Sequence, residues 1–183
     1  MIEIVNVVGS GALSTELDLE KVTTDLGDSA KYDPEKYPGM YLYMTEGAPL
    51  ITLYRTGKYI ISGSGSEEEA FITRERFLSR LSDQNVIEKP ADECFSIQNI
   101  VFTAELPEQV NLNSIAIDLG LEQTEYEPEQ FPGLIYRPAN FPCVLLVFAT
   151  GKVVNTGCSD TEVAEKAFSH LKDEIARVVD TES

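Results

Sequence analysis

Covalent chemistry has little to work with in this chain. It holds one histidine, His170, and three cysteines, Cys94, Cys143 and Cys158, with no Cys-x-x-Cys spacing. A single histidine cannot supply a His-based relay together with a Cys/His zinc cage, and no partner set stands around it. Gly9-x-Gly11 and Gly63-x-Gly65 lack the Lys-Ser/Thr that follows a phosphate-cradling glycine loop. No nucleophile–base pair can be assembled, so an enzyme is not expected, nor a metal or cofactor. The cysteines cannot all pair, and with His170 they read as structural or incidental. Met1-Ile2-Glu3 has no basic leader, and the longest apolar run, Cys143–Ala149, is too short to cross a bilayer. A reduced, cytoplasmic protein with no membrane partner is expected.

Binding chemistry is better supplied, and it comes in duplicate. Tyr32-Asp33-Pro34-Glu35-Lys36-Tyr37-Pro38-Gly39 recurs as Tyr126-Glu127-Pro128-Glu129-Gln130-Phe131-Pro132-Gly133. Thr56-Gly57-Lys58 recurs as Thr150-Gly151-Lys152, and Gly63 as Gly157, all at an offset of 94. Between 32–63 and 126–157, 9 of 32 positions are identical, where chance gives about 2. Upstream the offset is 93, so Asn6 matches Asn99 and Val8 matches Val101. Two copies make a pseudo-twofold domain rather than a solenoid. The expected halves are 1–91 and 92–183.

Each half must position these residues with the same elements. A strand opens it (Glu3–Gly9, Phe95–Thr103), then a helix near Asp18–Leu26 or Leu112–Leu119, whose Leu19, Val22 and Leu26 sit at helical spacing. After the Pro-Gly loop come strands at Met40–Thr45, Leu50–Arg55 and Lys58–Ser62, and at Leu134–Arg137, Cys143–Ala149 and Lys152–Thr156. Thr-Gly-Lys marks tight hairpins. Ser66-Glu67-Glu68-Glu69 and Ser159-Asp160-Thr161-Glu162 read as capping boxes that open a longer helix. Ala70, Phe77 and Leu81, matched by Ala164, Leu171 and Ile175, form the stripe that should lie on the sheet. The fold class is α+β with an antiparallel sheet.

Charge then separates the two faces of that sheet. The 183 residues carry 31 acids and 14 bases, a net charge of −17, with 43% apolar residues. Residues 1–90 hold 15 acids and residues 91–183 hold 16, so the acidity is spread, as in a protein adapted to a salty cytoplasm. Phe131–Ser159 nevertheless contains no Asp or Glu in 29 residues, where the chain average gives about five; Gly47–Ser66 is also free of acids. Alternate positions in these strands are apolar too. Helices enough for one face leave the other as an exposed apolar patch, the mark of a binding surface. Lys58, Lys152, Arg55 and Arg137 surround it in sequence.

Gln98-Asn99-Ile100-Val101, Tyr126 to Arg137 and Leu145 to Val154 together closely resemble the TATA-box-binding protein family in its archaeal form. The first half resembles it more loosely. The resemblance implies a saddle: two β-α-β4-α repeats sharing one curved antiparallel sheet, helices convex and DNA concave. It implies a general transcription initiation factor that bends promoter DNA from the minor groove. The minor groove offers acceptors at A·T and an extra amino group at G·C. Asn6 and Asn99, unusual in mid-strand, would donate to those acceptors. Val8, Ile60, Ser62, Val101, Leu146, Val154 and Thr156 would line a floor too crowded for a guanine amino group.

The family drives aromatic wedges between base steps, and is itself the reference case for that device. The matching pairs are Phe131 with Phe148 and Tyr37 with Tyr54. A phenol is the poorer wedge, because its hydroxyl loses water unless it finds a partner. Lys58, Lys152 and Arg137 match phosphate contacts, while Tyr43 stands where Arg137 has its first-half counterpart. Glu127, Glu129 and Gln130 match the acidic loop that docks transcription initiation factor B, and RNA polymerase follows as a partner. The alternatives are a diverged paralogue that keeps the protein partners with weak DNA binding, or a ligand-binding module on the same curved sheet.

Overall fold

Period-2 burial along the strands sorts each repeat into a covered face and an open face. The computed structural model describes residues 2–88 and 95–182. Cys94 and the expected boundary between residues 91 and 92 lie outside the described residues. Two compact units form, one of residues 6–98, the other of 1–5 together with 99–183.

The first repeat runs β1 (Glu3–Ala12), α1 (Leu19–Leu26), β2 (Ala30–Lys31), β3 (Met40–Tyr43), β4 (Leu50–Leu53), β5 (Lys58–Ser64) and α2 (Glu67–Asp83). The second runs β6 (Ser96–Glu105), α3 (Leu112–Leu119), β7 (Thr124–Glu125), β8 (Leu134–Tyr136), β9 (Val144–Val147), β10 (Lys152–Cys158) and α4 (Thr161–Glu182). Strand order is β2-β3-β4-β5-β1 in the first and β6-β10-β9-β8-β7 in the second. The pairings within each are antiparallel. The pattern is β-α-β4-α twice over. Sequence periodicity located three of the four later strands; the two-residue β2 and β7 are too short to leave one.

Helices cover one face only. Leu19, Val22 and Leu26 of α1, with Phe77, Leu78 and Leu81 of α2, close over Met40, Leu42, Ile51, Leu53, Tyr59 and Ile61. In the second repeat the buried set includes Ile100, Phe102, Leu134, Tyr136, Leu145, Val147, Ala164 and Leu171. Ile175 departs from the expected stripe and is only half-buried. Interiors of this kind are close-packed, and a single deleted core ring costs about 3–5 kcal/mol.

Ser66 caps α2 as expected: its Oγ accepts from Glu69 N at 3.0 Å, while the Glu69 carboxylate accepts from Gly65 N at 2.6 Å. At α4 the expectation is corrected by one residue. Asp160, not Ser159, is the cap, accepting from Val163 N at 3.1 Å, because a carboxylate is the stronger acceptor for an orphan N–H.

The expectation of a fully reduced chain is also corrected. Cys143 and Cys158 form a disulfide, with Cα atoms 5.1 Å apart. The pairing of Thr156 with Val144 brings the entry of β9 beside the exit of β10, within bridging distance. His170 packs against Phe141, ring centroids 5.6 Å apart. Among the described residues no group of three His, Cys, Asp or Glu is placed to hold a metal, and no helix is long and apolar enough to cross a membrane.

Candidate nucleic-acid interface

Cross-strand pairing lays the open face out in rows, because directly paired residues point the same way. In the first repeat Tyr41, Thr52, Ile60 and Ser10 form one row, and Tyr43, Leu50 and Ser62 the next. In the second, Ile135, Leu146, Val154 and Thr103 form a row, with Val144 and Thr156 beyond. Val8, Ile60, Ser62, Val101, Leu146, Val154 and Thr156, expected as the floor, are all half-buried on these faces. Sequence reading missed Tyr41, Thr52, Ser10, Thr103 and Ile135. The same alternation that located Ile60 and Leu146 carries them, once the register is known.

A repeated bulge fixes the two asparagines. Val7 pairs with Ser64 and Gly9 with Ile61, so Ser62-Gly63 is one residue long against Val8. Asn155 pairs with Phe102 and Cys158 with Ile100, so Thr156-Gly157 bulges against Val101. Gly63 and Gly157 take φ +85° and +84°, which glycine adopts without a Cβ penalty. Each bulge turns a backbone N–H out of the ladder: Gly63 N donates to Asn6 Oδ1 at 2.7 Å, and Gly157 N to Asn99 Oδ1 at 2.8 Å. An amide whose oxygen is occupied by a backbone donor presents its NH2 outward. Asn99 Nδ2 also donates to Thr156 Oγ1 at 3.1 Å, which commits one of its two hydrogens.

The aromatic pairs stand on turns ending in Pro-Gly. Tyr37 N donates to Asp33 O and Phe131 N to Glu127 O, each at 3.0 Å, a single helical turn that presents the ring. Phe131 and Phe148 meet with centroids 5.9 Å apart and planes at 65°. Tyr37 and Tyr54 lie at 6.2 Å and 59°. A Cβ on Gly133 would come within 2.8 Å of Phe131 and 3.1 Å of Phe148; one on Gly39 would come within 2.9 Å of Tyr37. The glycines therefore leave room for the rings.

The first-half pair differs in one respect from expectation. Its hydroxyls find a partner in each other, Oη to Oη at 2.6 Å. Tyr41 adds a third ring, stacked on Tyr37 at 5.3 Å and 9°. The shared hydrogen bond, then burial, then the neighbouring phenols push Tyr54 up to about 12.

Cations are few. Lys58 and Lys152 are exposed on their hairpins, where Gly57 and Gly151 take φ +88° and +94°. Lys152 pairs across the ladder with Glu105, whereas Lys58 faces Ala12. Arg137 is not a free cation: its Nη1 lies 3.4 Å from Glu125 Oε2, with both side chains more than half exposed. Glu127, Glu129 and Gln130 are exposed and, with Pro128, line a shallow cavity of about 340 Å³.

The profile of the family described as transcription factor TFIID, or TATA-binding protein, matches residues 1–84 and 94–178. TATA-box-binding protein C of Halobacterium salinarum is 51% identical over 179 residues, covering 97% of this chain and 99% of its own. The TATA-box-binding protein of Archaeoglobus fulgidus is 40% identical over 176 residues, covering 95% and 94%. The solved TBP of Methanococcus jannaschii superposes with a TM-score of 0.80 at 40% identity, covering 96% of this chain and 98% of that one. The chain belongs to the TATA-binding protein family, and has its α+β fold with an internal repeat. It is a general transcription initiation factor of the archaeal kind, with relatives among halophiles.

Proposed function

We propose that the open face of each repeat binds A·T-rich promoter DNA through its minor groove, and that the bound duplex is bent. The single observation behind this reading is the duplicated asparagine lock. Asn6 and Asn99 each have Oδ1 held by a glycine N–H, leaving Nδ2 as a donor on a half-buried apolar face. Donors there suit the adenine N3 and thymine O2 acceptors, and the crowded Val and Ile floor disfavours the guanine amino group. Phe131 with Phe148 and Tyr37 with Tyr54 act as wedges, while Lys58 and Lys152 grip phosphates. Glu127, Glu129 and Gln130 dock transcription initiation factor B, which brings RNA polymerase. The work needs no catalytic step and no cofactor, and takes place in the cytoplasm on chromosomal DNA.

Fluorescence anisotropy of labelled TATA and G·C duplexes, with and without factor B, tests this reading. Tighter binding of the TATA duplex, strengthened by factor B, is expected; equal binding of the two duplexes contradicts it. A second reading, a paralogue with weak DNA binding that keeps its protein partners, draws on the Arg137–Glu125 pair. It differs in expecting capture of factor B without measurable TATA binding.

A further inference from the structure

The repeat offset of 94 sets Lys31 against Glu125 and Tyr43 against Arg137. In the second repeat those two positions form an ion pair, 3.4 Å apart. In the first repeat a cation stands at the position of the acid and a phenol at the position of the cation. Lys31 pairs with Tyr41 across β2 and β3, so both project from the open face; Ala30 and Leu42, the neighbouring pair, are in the core. Tyr41 and Tyr43 are 36% and 48% exposed. Among the described residues Lys31 has no ion-pair partner. Lys31, Tyr41, Tyr43 and Ser29 line one cavity of about 330 Å³, with Asp28 and Glu46 also in its wall.

We infer that Lys31, with the hydroxyls of Tyr41 and Tyr43, is a contact site for a phosphodiester of the bound duplex, and that it supplies in the first repeat the cation that position 43 lacks. The inference rests on the DNA-binding reading above. The ammonium and two phenols offer donors, and a phosphodiester offers two acceptor oxygens and one negative charge. A carboxylate partner is already present in Asp28 and Glu46, yet neither comes within ion-pair distance of Lys31. The ammonium is therefore left to an incoming anion. The two repeats thus hold their cation on different strands: β2 in the first, and the residue after β8 in the second, where it is partly neutralised.

Binding of an A·T-rich duplex by the whole chain is measured by anisotropy across a potassium chloride series, for K31Q, K31E and K31E/Y43R. K31Q should weaken binding about threefold to tenfold at the low-salt end, and raise the slope of log K against log salt by about 1, the loss of one released counterion. K31E should weaken it further. K31E/Y43R, which rebuilds the arrangement of Glu125 and Arg137, should recover only part of what K31E loses and stay below the unsubstituted protein, because the new carboxylate and guanidinium pair with each other as Glu125 and Arg137 do. Unchanged affinity and slope in K31Q and K31E overturn the inference while leaving the DNA reading intact. Failure of the unsubstituted protein to bind any duplex overturns both.

Discussion

The hydroxyls of Tyr37 and Tyr54 lie 2.6 Å apart, each the other's hydrogen-bond partner, at the place where the second repeat sets Phe131 against Phe148. Two phenols can therefore enter an apolar base step as a pair without stranding a polar atom. The cost of desolvation falls on whichever hydroxyl loses its partner.

Single removal of one hydroxyl should hurt more than removal of both. Y54F leaves Tyr37 unpaired, so its affinity for a TATA duplex should fall, and Y37F/Y54F should recover it. A double-mutant cycle by anisotropy is expected to give a coupling of about 1 kcal/mol. Additive losses would show that the pair does not enter the duplex together. Because the hydroxyls are satisfied, Y54A and F148A should lose affinity to a similar extent.

The same bond makes Tyr54 slow to ionise. Its folded value of about 12 lies above the ordinary phenol value of 10.0. A raised value stabilises the protonated, folded form, so this contribution is fully present below about pH 10 and is lost as pH rises through about 12. Burial also pushes Tyr59 and Tyr136 up, so ultraviolet phenolate titration of the native chain should show several late-titrating tyrosines, and one fewer in Y54F. Y37F should move Tyr54 back towards the ordinary value.

The glycine bulge predicts a sequence-reading defect in a residue that touches no base. G157A forces a side chain onto φ +84°, with its Cβ 3.2 Å from Pro142 O, and shifts the N–H that holds Asn99. N99A should reduce discrimination between A·T and G·C at the matching step by about 1–3 kcal/mol. G157A should reduce it in the same direction, while K152A weakens both duplexes alike. Intact discrimination in N99A would remove the asparagine from the interface.

Cys158 and Ser64 are repeat counterparts with opposite fates. Cys158 is bonded to Cys143, across a sequence separation of 15. Ser64 is fully buried, and its hydroxyl has no hydrogen-bond partner among the described residues. Urea unfolding should show S64A to be more stable by about 1 kcal/mol, since it removes an unsatisfied group. C143S/C158S should be less stable by about 3 kcal/mol, the loop-closure value for a loop of this length. A destabilised S64A would mean that the hydroxyl is satisfied by water.

Much of this was legible in the sequence, for stated reasons. The repeat of Tyr-x-Pro-Glu and Thr-Gly-Lys fixed which residues correspond, and the spacing of Leu19, Val22 and Leu26 located a helix. Asn6 and Asn99 stood out because asparagine is rare in mid-strand. Lys31 did not stand out, because a two-residue strand has no periodicity from which to read a face. Tyr41 was hidden for a different reason: its stack on Tyr37 depends on how the turn at Pro38-Gly39 folds back. The Cys143–Cys158 bridge needed the β9–β10 register, and the Asp160 cap turned on a competition between adjacent acceptors that spacing alone does not resolve.

The acid-free floor inside a chain of net charge −17 gives the most direct measurement: TATA and G·C duplex affinities between about 0.3 M and 2 M potassium chloride. An ordinary DNA binder weakens as salt competes for phosphates. Here few cations are released, the repulsion of 31 acids is screened within about 3 Å at molar salt, and salting-out strengthens the apolar floor. We expect TATA affinity to rise or hold level across the range while remaining above that for G·C. Replacing Glu46 or Glu129 by neutral residues should turn the slope towards the ordinary negative sign. Affinity that falls monotonically with salt, with no preference for the TATA duplex, would contradict binding through an apolar, asparagine-reading minor-groove face.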